Sequence, residues 1–279
     1  MEKELNILYL YPDILELYGD YGNIQVLKYR LEKRNYKCNI ERYSIGDNPP
    51  DFTKYDLVFA GGGADIEQDI LSKDLIKYKD NIKEAIKHGV FFLLICGAYQ
   101  LFGKYYKDAD GNIINGLNIF PYYTEAINDR TKRCIGNIVI EATLNNQKEK
   151  IIGFENHGGQ TSDVFSPFGT VLYGNGNKFG DKYEGFFLEN VIGTYLHGPL
   201  LSKNPSLADY IIKYCLDRKY NENTELEKLD DTFENLCREQ LLNKFKKGKW
   251  DGLNFPLFKL NPSSNLSLIM QMLPLYFHF

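Results

Sequence analysis

Little in this 279-residue chain points to disulfide, metal or nucleotide chemistry. Its five cysteines, Cys38, Cys96, Cys134, Cys215 and Cys237, are odd in number and include no C-x-x-C pair. That argues against a disulfide framework or a thiolate zinc site and suits a reducing cytoplasm. The glycine run Gly61-Gly62-Gly63 is not followed by the Lys-Ser/Thr of a P-loop. Neither sign of charge dominates: 33 Lys and Arg against 37 Asp and Glu leave a net charge of −4, with no basic stripe. Nucleic acid is therefore not expected as the main ligand. Long apolar runs are also missing, because the one long uncharged stretch, residues 260–279, carries Pro262, Pro274 and several Ser and Asn. It is a poor membrane span. Met1-Glu2-Lys3-Glu4 lacks the apolar region of a signal peptide, so a cytoplasmic protein is expected.

What is present reads as an α/β protein. Residues 90–100, Val-Phe-Phe-Leu-Leu-Ile-Cys-Gly-Ala-Tyr-Gln, run six apolar side chains into Cys96. Such a run suits a parallel-sheet strand covered on both faces, followed by a sharp turn into a helix. Residues 5–11, 38–43 and 55–60 read as further strands, residues 23–34 as a helix, and residues 67–88 as one long helix with Ile70, Leu71, Leu75, Ile82 and Ile86 inward. Alternating strands and helices imply a three-layer domain with a mostly parallel sheet. Beyond Gly103, segments 135–142, 151–155, 170–174 and 185–195 read as strands added antiparallel to that sheet. Helices are expected over 205–220 and 224–247, the second with Leu226, Leu229, Phe233, Leu236 and Leu241 inward.

Cys96 is the candidate nucleophile. At a strand's carboxyl end and a helix's amino terminus, backbone N–H groups and the helix dipole favour a thiolate. His197, in Gly193-Thr194-Tyr195-Leu196-His197-Gly198-Pro199, also ends an apolar strand. Strand ends of an open α/β sheet converge on one edge, so His197 can meet Cys96 and act as its base. His157, in Glu155-Asn156-His157-Gly158-Gly159, competes for that role, whereas His88 is explained by helix capping. Backbone N–H groups of Gly62 or Gly63, with that of Gly97, could hold a tetrahedral oxyanion.

These segments together resemble the class I glutamine amidotransferases, in their cobyric acid synthase-like branch. Cys96-Gly97-Ala98-Tyr99-Gln100 is similar to the family's elbow, with Gln four residues after the nucleophile, and Tyr195-Leu196-His197-Gly198-Pro199 to its histidine segment. Leu17-Tyr18-Gly19-Asp20-Tyr21-Gly22-Asn23, residues 61–68, residues 153–159, and residues 193–201 followed by Lys203-Asn204 resemble more closely the glutaminase subunits of lipid II isoglutaminyl synthases. The likeness spans about residues 5–245.

The resemblance implies a three-layer α/β/α fold with a mixed, mostly parallel sheet. It implies that Cys96 attacks the side-chain amide of L-glutamine while His197 protonates ammonia and then activates water. By the same resemblance Gln100 lines the glutamine pocket, and Arg133, or Arg130 in its place, engages substrate at the entrance. Many members carry Glu two residues after the histidine, where this chain has Pro199. Glu155 and Asp20 are the candidates to orient His197 instead, unless the site works as a Cys-His dyad. No metal or cofactor is expected in this chain. ATP and Mg are expected on a partner, a MurT-like Mur ligase subunit that binds lipid II and receives the ammonia. Cobyrinate-type amidation and a non-catalytic scaffold are the alternatives. Residues 1–247 are assigned to the amidotransferase domain, and residues 248–279 to an atypical apolar tail, either a docking segment or an extension foreign to the fold.

Overall fold

The computed structural model describes residues 3–15, 17–63 and 65–246. The apolar tail and His278 lie outside them. The chain begins β1 (Glu4–Leu10), α1 (Tyr21–Glu32), β2 (Lys37–Tyr43), β3 (Leu57–Ala60), α2 (Asp65–Leu75), α3 (Lys79–Lys87), β4 (Phe91–Ile95) and α4 (Gly97–Phe102). It continues with β5 (Tyr105–Lys107), β6 (Ile113–Asn115), β7 (Tyr123–Ala126), β8 (Cys134–Leu144), β9 (Gln147–His157), β10 (Gly159–Ser162), β11 (Gly169–Tyr173), β12 (Tyr183–Glu184), β13 (Phe186–Leu188), β14 (Val191–Thr194), α5 (Pro205–Tyr220) and α6 (Thr232–Lys246).

A six-stranded sheet of order β13-β14-β4-β3-β1-β2 forms the centre, parallel except for β13. Every residue of β3 and β4 is buried, which is why both read as continuous apolar runs rather than alternating ones. The step from β1 to β2 and the step from β3 to β4 run in opposite directions along the sheet. Right-handed crossovers then put α1 on one face and α2 and α3 on the other. Accordingly α1 packs on α5, and α2 on α4. Ile24, Leu27 and Leu31 of α1 and Leu207, Ile211, Ile212 and Cys215 of α5 enter the core.

Three expectations are corrected. The long helix is broken: a 3-10 turn at Ile76–Tyr78 separates α2 from α3, because Tyr78 turns its hydroxyl onto that of Tyr43 (2.7 Å), and Ile70 is 51% exposed. The later strands do not all extend the central sheet. They form two further four-stranded sheets, β10-β7-β5-β6 and β12-β11-β8-β9, and only β13 and β14 join the first. Finally, residues 224–231 are not helical. Arg34 Nε donates to the Glu227 carbonyl and Arg30 pairs with Asp231, so α6 starts only at Thr232, where Asp230 Oδ1 accepts from Thr232 N–H. Phe233 and Leu236 on it are 41% and 42% exposed. Among the described residues no helix is long and apolar enough to cross a membrane.

Candidate active site

Cys96 follows β4 directly, with φ 51° and ψ −105°. A side chain other than glycine held there costs about 1–3 kcal/mol, so neighbours must impose it. Its N–H donates to the Thr194 carbonyl of β14 (2.8 Å), and its carbonyl accepts from Gln100 N–H in α4 (3.0 Å). The elbow is thus clamped between a neighbouring parallel strand and the first turn of its own helix.

Three other loops at the carboxyl ends of parallel strands meet it. Asp20 comes after β1, Gly62 after β3 and His197 after β14. Asp20 Oδ2 stands 3.2 Å and Oδ1 3.3 Å from His197 Nδ1, and both side chains are fully buried. A Cβ built on Gly62 would lie 2.8 Å from His197 Cε1, 3.3 Å from Cys96 Cβ and 3.5 Å from Asp20 Oδ2. The three groups therefore surround one point that only glycine leaves open. Burial alone would lower the proton affinity of His197, but the Asp20 carboxylate and the Cys96 sulfur outweigh it and push the imidazole up to about 10. Its Nε2 is buried and makes no hydrogen bond within 3.5 Å (4.0 Å to sulfur) among the described residues.

The carbonyl oxygen of His197 accepts from Phe154 N–H (3.1 Å) and its N–H donates to the Phe154 carbonyl (2.8 Å), which fastens the histidine loop to β9. Buried Asn204 secures the same loop, donating to the Ile152 and Leu200 carbonyls (both 2.7 Å). Glu155, the other candidate orienter, is directed elsewhere: it accepts from Asn175 N–H, Asn175 Nδ2 and Gly176 N–H. Asp20 is the carboxylate at His197. His157, the competing base, stacks on Tyr195 (3.6 Å between centroids, 7°) with Nδ1 against the Gly159 carbonyl (2.7 Å). Burial pushes its pKa down to about 3 and keeps it neutral.

Gly62 N–H donates to Asp20 Oδ2 (2.9 Å), so it is committed to the orienting carboxylate rather than to an oxyanion. That leaves Gly63 and Gly97, which approach each other: a Cβ on Gly97 would lie 3.2 Å from Gly63 N. Gln100 is buried, accepting from Gln68 Nε2 (2.9 Å) and donating to Tyr195 Oη (3.1 Å). Tyr195 Oη in turn meets Thr161 Oγ1 (2.6 Å). No local sequence pattern points to Gln68 or Tyr195, because each meets Gln100 only through the fold. At the rim, Arg133 Nε and Nη2 donate to Asn156 Oδ1 (both 3.1 Å), whereas Arg130 begins the exposed turn Arg130–Lys132 that Arg133 closes.

Behind the site, Glu184 Oε1 accepts from Thr194 Oγ1 (2.9 Å) and Tyr195 N–H (2.7 Å), while Oε2 has no partner among the described residues. Burial pushes this carboxyl from 4.5 up to about 8. The folded state then keeps a proton that the unfolded chain has released, so stability falls as pH rises between those two values. Glu184→Gln keeps an acceptor oxygen and removes that cost. Its Tm is expected to exceed the parent's at pH 8.5 by about 4–8 °C, on the order of 2 kcal/mol, with no gain at pH 4. An equal offset at both pH values in thermal melts would refute the assignment.

Residues 6–205 match the CobB/CobQ-like glutamine amidotransferase domain. The chain belongs to this family. It is 40% identical over 246 residues to the lipid II isoglutaminyl synthase (glutamine-hydrolyzing) subunit GatD of Staphylococcus aureus (strain N315), covering 88% of this chain and 98% of that protein. It is likewise 40% identical over 230 residues to the subunit GatD of Streptococcus pneumoniae (strain ATCC BAA-255 / R6), covering 82% and 86%. A probable cobyric acid synthase of Methanococcus vannielii is 31% identical over 185 residues, covering 63% of this CobB/CobQ-like amidotransferase and 35% of that protein.

Proposed function

We propose that this amidotransferase is a glutaminase subunit that hydrolyses L-glutamine and passes the ammonia to a MurT-like Mur ligase, which amidates the D-glutamate α-carboxylate of lipid II. The observation that carries the reaction is the convergence of Cys96, His197 and Asp20 around Gly62. The Cys96 thiolate attacks the side-chain carbonyl carbon, and the oxyanion is met by the N–H groups of Gly63 and Gly97. The His197 imidazolium gives its proton to the amide nitrogen, the C–N bond breaks, and ammonia leaves a thioester. Neutral His197 then takes a proton from water, hydroxide adds to the thioester, and glutamate departs as the thiolate returns. Asp20 holds the imidazole and balances its charge throughout. In this reading Arg133, tied to Asn156, takes the charged end of glutamine at the rim.

The partner supplies what this chain has no motif for: ATP and Mg belong there, and lipid II is reached through it, at the cytoplasmic side. The high coverage of the two subunit GatD relatives supports this destination over cobyrinate amidation, whose relative extends well beyond the matched region. The test is to incubate the full chain with its Mur-ligase-like partner, ATP, Mg and lipid II, using glutamine labelled with 15N at the amide. Labelled amide in lipid II is the expected product. Labelled ammonium released with no label in lipid II would overturn the destination, and no glutamate release would overturn the reaction.

A further inference from the structure

We propose that Tyr18 is a positioning residue that couples Arg133 at the rim to His197 at the centre, through Asn156. The inference rests on the glutaminase reading above. Tyr18 sets its ring edge-on to the imidazole, with centroids 4.8 Å apart and planes at 69°. Tyr18 is 38% exposed while His197 is 0% exposed, so the ring is part of the wall that separates the histidine from solvent. The backbone is specialised for this: inside the turn Leu17–Gly19, Tyr18 has φ 56° and ψ 28°, a left-handed conformation that non-glycine residues seldom adopt. The same turn leads into Asp20. One short segment therefore brings both the carboxylate at Nδ1 and the ring over the imidazole.

The hydroxyl extends the contact outward. Asn156 Nδ2 donates to Tyr18 Oη (2.5 Å), and Asn156 Oδ1 accepts from Nε and Nη2 of Arg133. Asn156 lies two residues beyond Phe154 on β9, the residue whose backbone pairs with His197. A substrate carboxylate that draws on Arg133 consequently acts on a side chain already tied to the cover of the base. Among the described residues, the other titratable or charged groups around His197 are Asp20, Cys96, the neutral His157 and Lys203, whose Nζ lies 2.9 Å from a Cβ position on Gly198. None of them covers the imidazole as the Tyr18 ring does.

Ring and hydroxyl make separate predictions, tested on the full chain with its partner by the steady-state kinetics of glutamate release. Tyr18→Phe keeps the cover and cuts the link: KM for glutamine is expected to rise roughly 5- to 10-fold, as for one lost hydrogen bond, with kcat and its pH profile unchanged. Asn156→Ala should give the same rise, and the double variant no further one. Tyr18→Ala also removes the cover. Its kcat should fall about 10-fold or more, and the alkaline limb of kcat should move from the raised His197 value back toward 6.5, as water screens Asp20 and Cys96. A parental KM in Tyr18→Phe, additive effects in the double variant, or a parental pH profile in folded Tyr18→Ala would each overturn the coupling. A parent chain that releases no glutamate with its partner would instead overturn the reaction. Iodoacetamide alkylation of Cys96 against pH then still reads whether Tyr18→Ala changes the cysteine–histidine pair.

Discussion

Cys96→Ala is expected to abolish glutamate release from glutamine, by at least about 10⁴-fold in kcat, because the proposed route has no other group that can form the thioester. The fold should survive. Both backbone bonds that hold the elbow, to Thr194 and from Gln100, are made by peptide groups that alanine retains, and alanine occupies the same left-handed conformation at no greater cost than cysteine. Circular dichroism should therefore match the parent. Cys96→Ser keeps a hydroxyl in the strained position, but its oxygen is far less nucleophilic than a thiolate at neutral pH. It should remain inactive or nearly so. Undiminished release in a homogeneous Cys96→Ala preparation would remove the thioester mechanism altogether. Iodoacetamide gives a second reading: the alkylation that Cys96→Ala removes is the one expected to track loss of activity, since burial pushes Cys38 up to about 11 and Cys134 up to about 12 and also raises Cys215 and Cys237.

The parts of this site legible from sequence are those that local pattern determines. An apolar run that meets a Gly marks β4 and its elbow because a strand covered on both faces leaves no alternation to misread. The second such run is legible only in part: residues 185–195 read as one strand, but the turn at Glu189-Asn190 folds them into the antiparallel pair β13 and β14. What escaped was set by contacts between distant segments. Glu155 and His157 sit in the same glycine-flanked motif as Asn156, and sequence does not say which way each faces. Alternate residues of a strand point to opposite sides. In β9, Asn156 meets Tyr18 and Arg133 while Glu155 turns to Asn175 and Gly176, and His157 stacks on Tyr195. The pleat of one strand thus removes both the competing base and the competing orienter. Likewise Tyr78 breaks the helix periodicity because of Tyr43, more than thirty positions earlier. The Gly62 N–H, by contrast, is directed by Asp20, a residue whose place beside β3 follows only from the strand order.

Asp20→Asn is the second large effect, with kcat expected to fall by about 10³–10⁴-fold. Asp20 Oδ2 serves two donors at once, His197 Nδ1 and Gly62 N–H. An asparagine oxygen in the Oδ2 position can still accept from both, but the amide NH₂ then stands where Oδ1 faces His197 Nδ1 (3.3 Å) and repels that donor, and the side chain carries no charge to balance an imidazolium. Without that charge only the Cys96 sulfur opposes burial, so the His197 value drops from about 10. The alkaline limb of kcat should accordingly move to lower pH, because the neutral imidazole cannot protonate departing ammonia. Stability supplies an independent check. With the folded value raised, His197 stabilises the parent fully below pH 6.5, and this contribution is lost as pH climbs toward 10. In Asp20→Asn the raise is smaller, so Tm should decline less between those limits than in the parent. A variant with parental slope in Tm against pH but reduced kcat would mean that Asp20 orients the ring without holding its charge. A variant with parental kcat would mean that the carboxylate beside His197 is structural, and that the site works as a Cys96–His197 dyad.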